Sequence, residues 1–404
     1  MRIGMILDRE FPPDHRVEKE AKSLIKNGHE VHLFCFNHGH LKSEETINGI
    51  KVHRFFMSRQ LFKKLYALIN VFPLYNMFWK RRLMGQIKKY NIQALHVHDL
   101  PLSHIAWQLS KKFGIPLVLD MHEDYADWIE QTPHYNTLVG RIVKKLSRWK
   151  SYEKKHLQLA DYVIGVSPVL IDKMVKQYRV SRDKIIFVPN TPEPDFMTPD
   201  KIDEDIKKQL TGRFNVIYVG GISYLRGLQK VIPHMREVEK RIPEIQFIIV
   251  GDGTYLPELK KLTKELNLDH IVYFAGWETV ERIAAYIKLS HVGIYPSLRY
   301  KGVDDKVPTK VFQYWALGKP VIAPDFILPR TMIAKHQSGF TIDFEKEGEK
   351  LVDLVEKLYR DEKLRETMGE NGRRAIEEEW NWEKTVQPLI DLYDHLSKKR
   401  EEKH

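Results

Sequence analysis

At 404 residues the chain is too long for one hydrophobic core and suits two domains of about 150 to 200 residues each. Its one cysteine, Cys35, excludes an intrachain disulfide framework and agrees with a reducing cytoplasm, and the N-terminus lacks the long apolar core of a secretory signal. The net charge of +11 sits wholly in residues 1–195, which hold 31 of the 65 Lys and Arg against 20 of the 54 Asp and Glu and so leave 34 of each to the rest.

In chain order, apolar strand-like runs alternate with amphipathic stretches, the pattern of an open parallel sheet covered by helices. The first series of predicted strands is Arg2–Leu7, His29–Phe36, Ile50–Phe55, Ala94–His98, Pro116–Asp120, Tyr162–Ser167 and Lys184–Val188. Cys35 falls inside the second of these, where a buried, inert thiol is expected. Asp14 reads as an N-cap for the helix after the first strand, with Arg16 in its first turn placed to reach toward the cleft and meet a phosphate of donor or acceptor. The Pro-rich stretch Pro189–Asp195 reads as a linker. A second series follows at Phe214–Val219, Gln246–Val250, Ile271–Ala275, His291–Tyr295, Pro320–Ala323 and Gly339–Ile342. The pattern predicts two doubly wound α/β domains, residues 1–190 and 191–380, with ligands at the carboxyl ends of the strands in a cleft between them.

No acidic residue occurs between Glu45 and Asp99, while Lys51, Arg54, Arg59, Lys63, Lys64, Lys80, Arg81, Arg82, Lys88 and Lys89 all fall there, interleaved with aromatic and aliphatic residues. The run from Leu65 to Trp79 is too short to span a bilayer and is broken by Asn70, Pro73 and Asn76. Residues 46–98 fit either a helix lying on an anionic membrane surface or helical core with a solvated basic face. No nucleic-acid-binding module accompanies the charge, and no nucleic-acid partner is expected.

Four places carry chemistry. The strand ending at Val219 runs into Gly220-Gly221, a turn that lets backbone approach a ligand, with the cation Arg226 six residues on. Gly251-Asp252-Gly253 and Gly276-Trp277 end the next two strands. Neither these turns nor the first one spells G-x-G-x-x-G, which argues against a dinucleotide dehydrogenase. Val307–Asp325 spells a short helix, about Pro308 to Leu317, stopped by Gly318; its free amides and dipole form an anion site with Thr309 and Lys310 in the first turn. In the first half, His96, His98 and Asp99 end one strand, and Asp120, His122 and Glu123 end the next. Side chains two apart on a strand make a poor metal set, so no metal is expected.

The segment Pro308-Thr309-Lys310-Val311-Phe312-Gln313-Tyr314-Trp315-Ala316-Leu317-Gly318-Lys319-Pro320-Val321-Ile322-Ala323 resembles the signature of the family 4 retaining glycosyltransferases, with Gln313 where the family has glutamate. The resemblance covers nearly the whole chain and implies the GT-B fold, two Rossmann-like domains with a closing helix, here residues 381–404, that returns to the first. It implies transfer of a sugar from a nucleotide diphosphate sugar, a UDP-sugar foremost, to a hydroxyl of a glycan or lipid-linked glycan, with no cofactor. On the donor side it points to Gly220, Gly221, Arg226, Gly251, Gly276, Trp277, Asp305, Pro308, Thr309, Lys310 and Gln313. Arg226 and Lys310 would hold the departing diphosphate, and Gly221 stands where the family has a second cation. His122 corresponds to the family histidine near the donor sugar and, with Arg226 and Lys310, is the expected catalytic set; Arg16, His98, Asp99 and Glu123 would line the acceptor side. Two other readings remain open at this stage: a non-catalytic nucleotide-sugar-binding subunit of a polysaccharide assembly, and a nucleotide-sugar epimerase.

Overall fold

A computed structural model describes residues 1–67, 74–131, 146–193, 196, 203–300, 303 and 308–402. The chain forms two compact units, Met1–Pro189 with Val386–His404, and Asn190–Thr385.

The first unit is built on a sheet of β1 (Arg2–Glu10), β2 (Glu30–Asn37), β3 (Glu44–Ile47), β4 (Ile50–Phe56), β5 (Ala94–His98), β6 (Leu117–Met121), β7 (Tyr162–Gly165) and β8 (Ile185–Phe187), in the order β3-β4-β2-β1-β5-β6-β7-β8. All neighbours pair in parallel except β3, which returns against β4 as an antiparallel edge. Fully buried strands read as near-continuous apolar runs, and β6, Leu-Val-Leu-Asp-Met, is buried throughout; its one polar residue is Asp120. Helix His15–Lys26 starts where the Asp14 carboxylate accepts the Val17 amide. Helix Leu74–Lys89 buries Tyr75, Trp79, Leu83 and Ile87, which recur every four residues, into the core with Phe36 and Phe55. Cys35 is buried within β2, and burial pushes its thiol up to about 12, so it is inert. The closing helix Gln387–Glu401 belongs to this unit: Leu389, Tyr393 and Leu396 are buried, and the Tyr393 hydroxyl lies 3.1 Å from His96 Nδ1.

The second unit carries β9 (Phe214–Val219), β10 (Ile245–Val250), β11 (Val272–Gly276), β12 (Val292–Ile294), β13 (Val321–Pro324) and β14 (Gly339–Ile342) in the order β11-β10-β9-β12-β13-β14, all parallel. Strand order reverses between β9 and β12, the point where such sheets open a crevice for ligand. Tyr314 reaches it from below. Its hydroxyl accepts the Val219 amide at 3.0 Å and donates to the Ile294 carbonyl at 3.1 Å, tying the two diverging strands together. Gly293 makes the room, since a Cβ there would lie 2.4 Å from the Tyr314 ring.

No helix among the described residues is long and apolar enough to cross a membrane.

Candidate functional site

In the second unit, three glycine turns stand side by side at the carboxyl ends of β9, β10 and β11. The Gly220 amide donates to Val250 O at 2.9 Å, and the Gly251 amide to Gly276 O at 2.7 Å. Gly220 and Gly251 take φ of 132° and 142°, and a Cβ on Gly251 would come 2.1 Å from Gly220 O. Only glycine permits this approach. The result is a shelf of bare backbone beside the first turn of helix Thr309–Ala316.

That helix is one residue shorter at its start than its sequence suggests. Pro308 is the N-cap, with ψ of 71°, rather than the first helical residue. Proline has no side-chain acceptor with which to cap the helix, and among the described residues its first amides are open to a ligand. Its far end is fixed: Gly318, at φ 66°, donates to Trp315 O, and the Lys319 amide donates to Tyr314 O at 2.9 Å, a Schellman stop.

Lys310 leans from the first turn over the glycine shelf. A Cβ on Gly220 would meet its Cε at 2.5 Å and its Nζ at 2.8 Å, and the ammonium faces the rings of Tyr218 and Tyr295 at 5.8 and 5.7 Å. Burial, reinforced by the Arg226 guanidinium, pushes the Lys310 amine down to about 7. Among the described residues neither Lys310 nor Arg226 has a carboxylate partner. Arg226 is held by a short 3-10 turn, Tyr224–Arg226, ending at Gly227, whose φ of 70° and contact with the Pro296 carbonyl admit no side chain. Two cations that feel one another's charge beside bare backbone, with no carboxylate partner among the described residues, make a site suited to an anion.

The other donor-side residues are distributed around this point. Gly221 is exposed, with nothing within 4 Å of where its Cβ would be. Thr309 and Gln313 are half-buried on the same helix. Trp277, one residue beyond Gly276, is 74% exposed, so it does not serve as packing. Asp305 and its neighbour Asp304 lie outside the described residues.

The first unit gathers its charged residues at the ends of β1, β5 and β6. Asp120, fully buried, accepts from Arg16 Nε at 3.1 Å and Nη2 at 2.9 Å, from His98 Nδ1 at 3.2 Å and from His122 Nε2 at 2.8 Å. Burial would raise this carboxyl, but Arg16 and then His122 outweigh it and hold it well below its usual range. The other nitrogen of His122 lies 3.6 Å from Asp99, itself held by Arg9 at 2.8 Å. Burial opposes a charge on His122, yet Asp99 and Asp120 together raise it to about 9. With Asp120 at hydrogen-bond distance from one ring nitrogen and the Asp99 carboxylate 3.6 Å from the other, the surroundings of His122 favour the imidazolium, which suits a hydrogen-bond donor better than a proton acceptor. Glu123, half-buried, follows it directly.

Arg16 does not reach out to a phosphate, as its place in the first helical turn suggests. It is 6% exposed, and besides Asp120 it binds Val188 O at 3.1 Å and Glu20 at 2.8 Å, so each guanidinium nitrogen is already engaged. It orients the carboxylate that orients His122. The sequence reading missed Glu20 and Asp8, both buried carboxyls that burial pushes up to about 7. Glu20, His96, His98 and Asp120 bring ligand atoms within 4.8 Å of one another, a set with metal-site dimensions. The Arg16 guanidinium rests on both of its carboxylates, and a cation of that permanence is a poor neighbour for a metal ion.

Two doubly wound units, matched in succession by two glycosyltransferase family models, make this a GT-B glycosyltransferase that takes its sugar from a nucleotide diphosphate sugar. Two family models match in succession, Glycosyltransferase Family 4 over residues 15–196 and Glycosyl transferases group 1 over residues 200–375, and the chain is related to these families. Alpha-D-kanosaminyltransferase of Streptomyces kanamyceticus is 24% identical over 76% of this chain and 78% of its own. Alpha-monoglucosyldiacylglycerol synthase of Streptococcus pneumoniae is 24% identical over 80% and 71%. Among solved structures, Anabaena Alr3699/HepE in complex with UDP superposes with a TM-score of 0.72 at 15% identity, covering 98% of this chain and all of that one.

Proposed function

We propose that the protein moves a sugar from a UDP-sugar to a hydroxyl of a glycan or lipid-linked glycan, with retention at the anomeric carbon. The observation that carries this reading is Lys310, set over the Gly220 backbone and within the field of Arg226, with no carboxylate partner for either among the described residues. A diphosphate satisfies both, and its negative charge grows as the sugar–phosphate bond breaks, so cations and helix amides already in place lower the barrier. UDP as the carrier is supported by the Anabaena protein, which binds it on the same fold. Trp277, exposed two strands from Gly220, offers a face for the base at roughly 10 Å. His122, as an imidazolium, is assigned to hydrogen-bond and orient the reacting sugar, with Asp99 and His98 on the acceptor side.

The acceptor half is proposed to work at an anionic membrane surface, reached through residues 46–98. The acid-free composition of that segment supports this, as does a relative named for a glycolipid product.

The test separates phosphate from base. Lys310→Ala and Arg226→Ala should each weaken UDP binding tenfold or more while uridine binding stays as in wild type. Equal loss for both ligands removes these side chains from the diphosphate site.

A further inference from the structure

The acid-free segment is less uniform in three dimensions than in sequence. Of its ten cations, Arg54 is buried and spent on Phe11 O and Glu45, Lys51 pairs with Glu30, Lys80 donates to Gln108 and Lys89 lies 3.6 Å from Glu44. The side chains of Lys63 and Lys64 lie outside the described residues. Arg59, Arg81, Arg82 and Lys88 remain exposed. The apolar residues divide in the same way. Phe55, Tyr75, Trp79 and Leu83 are core, whereas Phe56, Leu61, Leu74 and Met77 are 61, 46, 56 and 53% exposed.

Exposed members of both kinds fall on one stripe of helix Leu74–Lys89. At 100° per residue, Leu74, Met77, Arg81 and Lys88 lie within about 60° of one another, on the side away from Tyr75, Trp79, Leu83 and Ile87. The stripe is apolar for its first turn and basic beyond it. Among the described residues Arg81 and Lys88 have no carboxylate partner. A soluble surface gains nothing from Leu74 and Met77 in water, and a protein partner would need acidic residues to meet the basic half. A bilayer with anionic headgroups supplies both environments at once: hydrocarbon for the apolar tip, phosphates for cations whose flexible stems reach upward from it.

We infer that Leu74 and Met77 form an insertion face that enters an anionic bilayer while Arg81 and Lys88 engage its headgroups. This rests on the proposed membrane-facing acceptor side and names the contact. It also differs from purely electrostatic attraction, because part of the binding must survive salt.

Flotation of the full-length protein with vesicles of phosphatidylcholine and phosphatidylglycerol tests it. Wild type should float at low salt and retain a measurable fraction at 1 M salt. The Leu74→Ser/Met77→Ser double variant should lose the salt-resistant fraction and bind at least tenfold more weakly at low salt; Arg81→Glu/Lys88→Glu should lose the salt-sensitive part. Both pairs are exposed, so unchanged circular dichroism and unchanged UDP affinity are expected, and UDP affinity separates failure of this contact from failure of the donor-site reading. Wild type that stays in solution at low salt, or a Leu74→Ser/Met77→Ser variant that floats like wild type, overturns the insertion face.

Discussion

Lys310 shows how one residue's surroundings define its ligand. The unfolded chain holds its amine at the ordinary lysine value, 10.5, and the fold pushes it to about 7 through burial and Arg226. The ammonium is therefore disfavoured unless an anion lies beside it, and a substantial neutral fraction is expected above pH 7. A bound diphosphate reverses this, since an anion favours the charged form. UDP-glucose, whose diphosphate carries no proton near neutrality, should thus bind with uptake of up to one proton at pH 8.5 and almost none at pH 5.5. Calorimetry in two buffers of different ionisation enthalpy measures the uptake. Its absence at pH 8.5, or equal uptake in Lys310→Arg, would show that Lys310 is not the group. Lys310 was legible in the sequence because Pro308 and Gly318 bracket a short helix around it. The groups around the carboxylates of this cluster were less so: Arg9, which holds Asp99, and Glu20, which pairs with Arg16, come from other elements, as does the buried Asp8, and contacts at such separations leave no local pattern. A carboxylate in Leu-Val-Leu-Asp-Met and two histidines in Ala-Leu-His-Val-His were the available signals, since buried polar groups on buried strands must be satisfied by something.

At the scale of elements, the parallel strands were legible as apolar runs, and β3 was not. Glu-Glu-Thr-Ile alternates exposed and half-buried residues on a sheet edge, and so short a polar run carries little periodicity. Helix Thr309–Ala316 raises a different question, namely what keeps its N-terminus aimed. Helix Glu362–Glu378 packs across it through two glycines. A Cβ on Gly372 would lie 2.5 Å from the Trp315 ring, and one on Gly369 would lie 2.1 Å from the Gly318 carbonyl oxygen. Helix propensity alone says Gly→Ala stabilises, by roughly 0.5–1 kcal/mol. Here overpacking should win, and Gly372→Ala should destabilise the second unit by about 1–3 kcal/mol and weaken UDP binding as the helix shifts. Gly85, in helix Leu74–Lys89 with nothing within 4 Å of its Cβ position, is the internal control, and Gly85→Ala should follow propensity instead. Urea unfolding of the two variants decides between these effects; a stabilised Gly372→Ala would mean the helices separate without penalty.

Across the whole molecule, the chain leaves the first unit at Pro189 and comes back to it at Val386. Strand periodicity foretold neither the return nor its purpose; only the family resemblance implied it. The returning helix buries Leu389, Tyr393 and Leu396, and the Tyr393 ring stacks on His96 at 6.1 Å with its hydroxyl on Nδ1. His96 in turn stacks on His98, which bonds the same Asp120 oxygen that accepts from His122. Removing residues 386–404 therefore strips the first unit of core, at about 1.5–3 kcal/mol for each large side chain uncovered, and leaves the second unit's residues intact. Calorimetry of the truncated chain should show one transition lowered or lost and the other near its wild-type temperature. UDP affinity, a property of the second unit in the proposed reading, should persist while sugar transfer fails. Tyr393→Phe keeps the packing and removes one hydrogen bond, so it should cost only about 1 kcal/mol. If truncation lowers both transitions equally, or abolishes UDP binding, the closing helix supports more than the unit it completes.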